Sequence, residues 1–170
     1  MQAFPIVRAG ILGLAYLFVA SCDDIGVGQN NFQAKYAIAR NALENGNYDV
    51  AKRYYAKLVA EAGPLSQRLQ LEYAHAELRS GNYDQAAAIS STLANSQTGN
   101  ARAAALAVFG TAQHEQGLEL LSTGQKGAGK THMISARKAL SEVIKTNPEM
   151  DPLGSLEGRV ASISARLKTL

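Results

Sequence analysis

A four-residue motif occurs twice in the chain, as Gly46-Asn47-Tyr48-Asp49 and as Gly81-Asn82-Tyr83-Asp84, at a spacing of 35 residues. An alanine follows three residues after each tyrosine, at Ala51 and Ala86. Repeat periods of this length are typical of helical hairpins that stack on one another, because one hairpin alone cannot bury its apolar face. The repeat therefore predicts a stack of helical hairpins.

Composition supports an all-α fold and excludes some functions. Alanine dominates the apolar residues, and tryptophan is absent, which favours helices that approach closely through small side chains. The formal net charge is only +3 at pH 7. Such a mild charge argues against a nucleic-acid-binding protein.

Small residues, a turn glycine and a tyrosine at fixed spacing resemble the tetratricopeptide repeat (TPR). The resemblance implies a TPR-like right-handed superhelix over residues 32–148, although the early tryptophan of the family is missing and Ser90 replaces a bulky residue. The matching positions are Ala39, Gly46, Tyr48, Ala51, Tyr55 and Gly63-Pro64 in the first repeat, and Ala74, Gly81, Tyr83 and Ala86 in the second.

A third repeat is recognisable but longer. Its first helix is matched by Phe109-Gly110 and Gly117. Its second helix is matched by Ala136, Leu140, Val143 and Pro148. If Gly117 is the turn glycine, 14 extra residues separate the two halves compared with the family. The sequence then predicts an elongated hairpin over residues 118–135, with its tip near Gly124 to Gly129.

The segment from Gly124 to Thr131, Gly-Gln-Lys-Gly-Ala-Gly-Lys-Thr, matches the nucleotide-binding P-loop pattern. A P-loop requires a buried strand before the glycines and a helix after them, whereas the preceding residues favour a helix. We therefore expect a glycine-rich turn, with Thr131 capping the next helix. A nucleotide-binding regulator that uses residues 124–131 is the alternative function.

The C-terminal segment, residues 149–170, predicts a helix that covers the last hairpin. Leu156, Val160, Ile163 and Leu167 recur at intervals of 4, 3 and 4 residues, which places them on one helix face. Ser155 is the expected N-cap. A helix of this kind commonly ends a repeat array by covering its apolar end.

The segment from Met1 to Cys22 resembles a bacterial lipoprotein signal. Arg8 precedes an apolar run that ends in Val19-Ala20-Ser21-Cys22. The resemblance implies a signal peptide over residues 1–21, a lipid (palmitate) on Cys22 and a flexible tether over residues 22–31. A plain signal peptide with an incidental cysteine and an uncleaved membrane helix remain alternatives, although 11 apolar residues fall short of the roughly 20 that span a bilayer.

This leader predicts a protein of the bacterial cell envelope that is anchored to a membrane and faces the periplasm. The inner and the outer membrane both remain open.

Residues that could form a catalytic or metal site are scattered: His75, His114 and His132 do not pair at ligand spacing. We therefore expect no enzyme activity, no cofactor, no metal, no nucleic acid and no small-molecule substrate.

The TPR resemblance implies a concave groove, lined by the first helix of each repeat, that receives a peptide of a partner protein. Its lining is basic and aromatic and contains no carboxylate, which suits an acidic segment or a chain-terminal carboxylate, although the arginines could equally be solvated. The groove positions are Gln33, Tyr36, Arg40, Arg68, Leu71, His75, Arg79, Ala107, Thr111 and His114.

The combined features resemble repeat lipoproteins that act as pilotins or assembly factors for secretins, for type IV or tight-adherence pili, and for outer-membrane insertion machines. We expect a membrane-anchored scaffold for protein–protein interactions in the assembly of such a cell-envelope complex.

Overall fold

The computed structural model describes residues 23–170, with side chains described from Asn31 onward. This part of the chain is all-α and contains no strand. Short 3₁₀ turns at Gly63–Leu65 and Pro148–Met150 precede the third and last helices. The seven α-helices are α1 (Asp23–Glu44), α2 (Tyr48–Glu61), α3 (Ser66–Arg79), α4 (Tyr83–Ser96), α5 (Gly99–Ser122), α6 (Lys126–Thr146) and α7 (Ser155–Leu167).

These helices form three hairpins, α1–α2, α3–α4 and α5–α6, followed by α7. Each helix packs against the next along the chain, and α3 also contacts α5. The all-α, TPR-like stack with a long third hairpin is confirmed. The predicted signal peptide and Cys22 lie outside the described residues.

One turn geometry closes all three hairpins. Gly46, Gly81 and Gly124 have φ values of +76°, +83° and +80°, in the left-handed region that glycine adopts without strain. The residue after each glycine donates its backbone N–H to a carbonyl five residues earlier, at 2.8, 2.9 and 2.8 Å respectively. This pattern is the glycine-dependent Schellman motif that ends many helices.

The third turn glycine is therefore Gly124, and the prediction based on Gly117 is wrong. Gly117 lies seven residues before Gly124, where the earlier repeats have Ala39 and Ala74, and Gly129 lies five residues after it, at the position of Ala51 and Ala86. All six of these small residues are buried. The third repeat thus keeps the family spacing around its turn.

The extra length lies at the end of the hairpin away from this turn, and the tip occupies residues 123–125. Helices α3 and α4 have 14 residues each, whereas α5 has 24 and α6 has 21. Because the spacing around the turn glycine is unchanged, the added residues belong to the start of α5 and the end of α6. These added turns bury Ala103, Leu106 and Val143 against the end of α4.

Helix α1 begins at Asp23, so residues 23–31 are helical where the sequence predicted a flexible tether. The prediction gave too much weight to Gly26 and Gly28. Each glycine disfavours a helix by only about 1 kcal/mol, and once a helix has formed, adding residues to it is far easier than starting one. No proline interrupts this stretch.

The N-terminus of α7 is capped by Asp151, and the prediction of Ser155 as N-cap is wrong. Oδ1 of Asp151 accepts hydrogen bonds from the Leu156 N–H and the Ser155 hydroxyl, both at 3.0 Å, and Oδ2 accepts one from the Glu157 N–H at 2.9 Å. These bonds, chiefly the one from Leu156, lower the pKa of Asp151. The predicted apolar face of α7 is confirmed, since Ile163 is buried in one cluster with Met133 and Leu140.

Helices α5 and α6 approach so closely that side chains would not fit between them at two places. A Cβ on Gly129 would lie 2.6 Å from Cγ of Leu121 and 3.1 Å from the carbonyl oxygen of Gly117. A Cβ on Gly110 would lie 2.7 Å from two carbons of the Leu140 side chain. Glycine at these positions is therefore required by packing rather than by backbone conformation.

Substitution of Gly129 tests this close contact. We expect Gly129→Ala to lower the free energy of unfolding by about 1–3 kcal/mol, because the added methyl overpacks the helix contact. In the matched control, Gly127→Ala on the same helix, no atom lies within 4 Å of the new Cβ. The free energy of unfolding of that variant should stay unchanged or rise by up to about 1 kcal/mol. Urea denaturation of both variants measures the difference, and equal stabilities would contradict the packing.

Candidate functional site

A pocket of about 160 Å³ lies between α1 and α3. A cavity of about 150 Å³ can hold a benzene ring, so this pocket accommodates one aromatic or branched aliphatic side chain. We call it the Tyr36 pocket. Its lining residues are Phe32, Tyr36, Leu65, Arg68, Leu69 and Glu72.

Glu72 connects the three helices beside the Tyr36 pocket. Its Oε1 accepts a hydrogen bond from the Tyr36 hydroxyl and its Oε2 accepts one from the Tyr55 hydroxyl, each at 3.0 Å. Tyr55 lies on α2 and is completely buried. One carboxylate on α3 therefore fixes the positions of an aromatic ring on α1 and another on α2.

The two hydroxyls remain protonated donors. Burial raises the pKa of Tyr36 and of Tyr55, and the neighbouring Glu72 carboxylate raises both further because it disfavours a second negative charge. The prediction of a lining without a carboxylate is wrong, since Glu72 lies in it. Both oxygens of Glu72 already accept hydrogen bonds from tyrosine hydroxyls. The role of this carboxylate is therefore to hold the helices together rather than to bind a ligand.

Arg68 lines the pocket and Arg40 lies beside the Tyr36 side chain, and both guanidinium groups remain largely exposed. Arg68 has 76% of its side chain exposed, with Nε 3.8 Å from the Glu72 carboxylate. Arg40 has 47% exposed and donates to Glu44 on its own helix at 2.9 Å. Such exposed pairs contribute little to stability, so both guanidinium groups can bind a partner's carboxylate.

Other predicted groove residues lie away from this pocket. Gln33 and His75 are exposed but do not line it. Leu71 packs against the core between the second and third hairpins. The guanidinium of Arg79 lies 5.6 Å from the ring centre of Tyr48, at the first hairpin turn. The structure thus brings Tyr36 and Arg68 together in one site, with Arg40 beside Tyr36, and separates the other predicted groove residues from it.

His114 is buried below α7 and is not part of an open groove. Arg159 of α7 donates to Nδ1 of His114 at 2.6 Å and to the Glu115 carboxylate at 2.5 Å. Thr111 and Ala107, on the same helix, are half-buried. The predicted groove therefore does not continue to His114, because the capping helix covers this part of the third repeat.

The P-loop-like segment has the wrong geometry for phosphate binding. It starts in the third hairpin turn and continues as α6, and α5 precedes it in place of a strand. The N–H of Gly129 donates to the Gln125 carbonyl at 2.9 Å, within the helix. Thr131 donates its hydroxyl to the Gly127 carbonyl at 3.1 Å, so it lies inside α6 and the prediction that it caps the helix is wrong.

The described residues contain no group of three or more His, Cys, Asp or Glu side chains arranged to hold a metal ion. None of the helices between residues 23 and 170 is long and apolar enough to cross a membrane.

The fold and the pocket define a class: a helical-hairpin repeat protein with a concave side-chain pocket between the first helices of two repeats. Residues 42–108 match the model of the tetratricopeptide repeat family, which supports the TPR assignment. No curated protein and no solved structure matches the chain. TPR repeats are generally non-catalytic and indicate a scaffold for protein–protein interactions.

Sequence reasoning missed Phe32, Leu65 and Glu72 as pocket residues. One signal for Glu72 was present, because it follows Arg68 at a spacing of four residues on the same helix face. Leu65 directly follows Gly63-Pro64, a pair that was interpreted only as the end of the first repeat. Its 53% exposure places an apolar side chain at the rim of the pocket.

Replacement of Glu72 tests the link between the tyrosines. We expect Glu72→Leu to lower the free energy of unfolding by about 1–3 kcal/mol, because the buried Tyr55 hydroxyl loses its acceptor. Tyr55→Phe in the Glu72→Leu background should restore part of this loss, since no orphaned hydroxyl remains. A double-mutant cycle by urea denaturation measures the coupling. Additive effects would show that the pair is not coupled.

The contact between His114 and α7 predicts a pH dependence. Burial and then Arg159 lower the pKa of His114 below its ordinary 6.5, with Arg166 acting in the same direction and Glu115 opposing. The unfolded chain therefore binds a proton at a higher pH than the folded protein. The stability that neutral His114 provides is complete above pH 6.5 and is lost as pH falls through the lowered pKa.

We expect the urea midpoint of the wild type to fall between pH 7 and pH 5, and the fall to be smaller in His114→Gln. Arg159 still finds an acceptor in the glutamine, so α7 stays in place. Denaturation curves at each pH give the comparison, and identical pH profiles would rule out this contribution of His114.

Proposed function

We propose that this protein is a membrane-anchored TPR lipoprotein that acts as a protein–protein interaction scaffold during assembly of a cell-envelope complex, such as a secretion system or a pilus. The observation that carries the proposal is the Tyr36 pocket between two repeats. It combines an apolar interior with two exposed arginines, Arg40 and Arg68.

This arrangement fits an extended peptide with one apolar side chain and a nearby carboxylate. Phe32, Leu65 and Leu69 supply apolar surface for the side chain. Arg68 can donate two parallel hydrogen bonds to a carboxylate, which are stronger than bonds between neutral groups. The partner segment is therefore an acidic stretch or a chain terminus of another envelope protein.

The membrane anchor is proposed from the sequence of the leader. The apolar run ending in Val19-Ala20-Ser21-Cys22 supports attachment of lipid to Cys22, outside the described residues. Two or three acyl chains together hold a protein at a bilayer stably. Anchoring would confine the Tyr36 pocket to the membrane surface, where envelope complexes assemble.

The matching experiment is crosslinked pull-down of the full-length protein from intact cells. We expect Arg68→Glu to reduce recovery of the envelope partner at least about tenfold, because the new carboxylate repels the acidic peptide and the lost charge-assisted hydrogen bonds contribute about 1.5–3 kcal/mol. The matched control, Arg53→Glu, makes the same charge change at an exposed site on α2 and should leave recovery unchanged.

The same cells test the anchor. Cys22→Ser should remove palmitate labelling and release the protein from stable membrane association. Unchanged lipid labelling in that variant would disprove attachment at Cys22. Equal recovery of the partner with Arg68→Glu and Arg53→Glu would disprove the pocket as the binding site.

A further inference from the structure

Helix α6 concentrates the positive charge of the protein. It contains five basic residues and one acidic residue, a net charge of +4, whereas the whole chain has +3. The rest of the chain therefore sums to −1. The basic residues are Lys126, Lys130, Arg137, Lys138 and Lys145, and all five are exposed.

These side chains share one face. At 100° per residue, their positions fall within a sector of about 120°, and they extend over about 29 Å of helix at about 1.5 Å per residue. Ser141 and Ile134 lie in the same sector, and Ile134 is 46% exposed. We call this surface the α6 basic face. It is a band of cations along the helix with one exposed apolar side chain, Ile134, among them and the half-buried Ile144 at its edge.

No neighbouring carboxylate compensates the α6 basic face. None of its five cations takes part in an ion pair with any residue of the described chain. The single acidic residue of α6, Glu142, is bound to Arg102 of α5. Lys126 and Lys130 are even spaced at four residues, where like charges repel. The face is therefore complementary to an anionic surface outside the protein.

We propose that the α6 basic face lies against an anionic phospholipid bilayer. A bilayer presents negative headgroups over an extended plane, which matches a row of cations along the whole helix better than one bound carboxylate does. A cluster of four to eight Lys or Arg side chains on one helix is typical of segments that bind anionic phospholipid. The inference rests in part on the proposed anchor at Cys22, which would hold α6 near the lipid at high effective concentration.

Lysine acetylation read by mass spectrometry tests the proposal on the full-length protein, purified from membranes in detergent. The protein is reconstituted into vesicles of phosphatidylcholine, with or without phosphatidylglycerol. With phosphatidylglycerol present, we expect the acetylation of Lys126, Lys130, Lys138 and Lys145 to fall about fivefold. The attraction of one lysine to an anionic surface changes its equilibrium between bound and free by a factor of about this size. Labelling of Lys57 and Lys168 should not change, and high salt should remove the protection.

A charge-reversed variant and a matched control complete the test. Arg137→Glu/Lys138→Glu should lose the protection of Lys130 and Lys145, whereas Arg53→Glu/Lys57→Glu on α2 should retain it. Equal labelling in both vesicle types overturns the proposal. Protection in intact cells but not on anionic vesicles also overturns it, and would assign the face to an acidic macromolecule instead.

Flotation of the same vesicles separates this inference from the anchor. If the protein floats with neutral vesicles, the anchor is functional whatever the labelling shows. If it floats only with anionic vesicles and the α6 lysines are protected, the anchor fails and the α6 proposal stands. If it floats with neither, both proposals fail.

Discussion

The close contact between paired helices is the constraint on which the rest of the structure depends. Each hairpin has a small buried residue seven positions before its turn glycine and another five positions after it. In the third hairpin both are glycine. A Cβ on Gly129 would lie 2.6 Å from Cγ of Leu121, and a Cβ on Gly117 would lie 3.2 Å from the Gly129 carbonyl oxygen. This contact sets the distance between the two helices of a hairpin. Helix α2 of the first hairpin packs on α3 of the second, and the Tyr36 pocket forms between α1 and α3.

The fold was largely predictable because the repeat encodes it locally. A positive-φ glycine, a small residue and a helical period each specify the hairpin without knowledge of distant contacts. The register of the third repeat was not predictable in the same way. Gly117 and Gly124 are both plausible turn residues in the sequence. The positive φ of Gly124 and the hydrogen bond from the Gln125 N–H to the Leu120 carbonyl show that Gly124 makes the turn, while Gly117 is needed for the contact with Gly129.

The P-loop resemblance has the same physical origin. The third turn needs one glycine for its backbone and another for the close helix contact, and a lysine and a threonine follow in the first turns of α6. This order of residues matches the pattern of a phosphate-binding loop although the backbone around it is different. The chemistry differs because α5 precedes the turn in place of a buried strand. A motif of this kind identifies a site only together with the elements that flank it.

The candidate site was predicted in part. Tyr36 and Arg68 were found because family positions map directly onto α1 and α3. Glu72 was missed, since its role depends on two tyrosines 17 and 36 residues away in sequence. His114 was misplaced because the TPR positions imply an open groove, whereas α7 covers the third repeat through Arg159. The spacing of Arg68 and Glu72 indicates a shared helix face, but the contacts with the two tyrosines and with α7 depend on the tertiary fold.

Hydrogen exchange measured by mass spectrometry tests the central claim most directly, namely that residues 124–146 are a turn and a packed helix. The account predicts slow exchange from Gly129 onward in α6, with protection shared by the facing part of α5, and no change when ATP and Mg²⁺ are added. Fast exchange across residues 129–131 that becomes slow on addition of ATP and Mg²⁺ would contradict it.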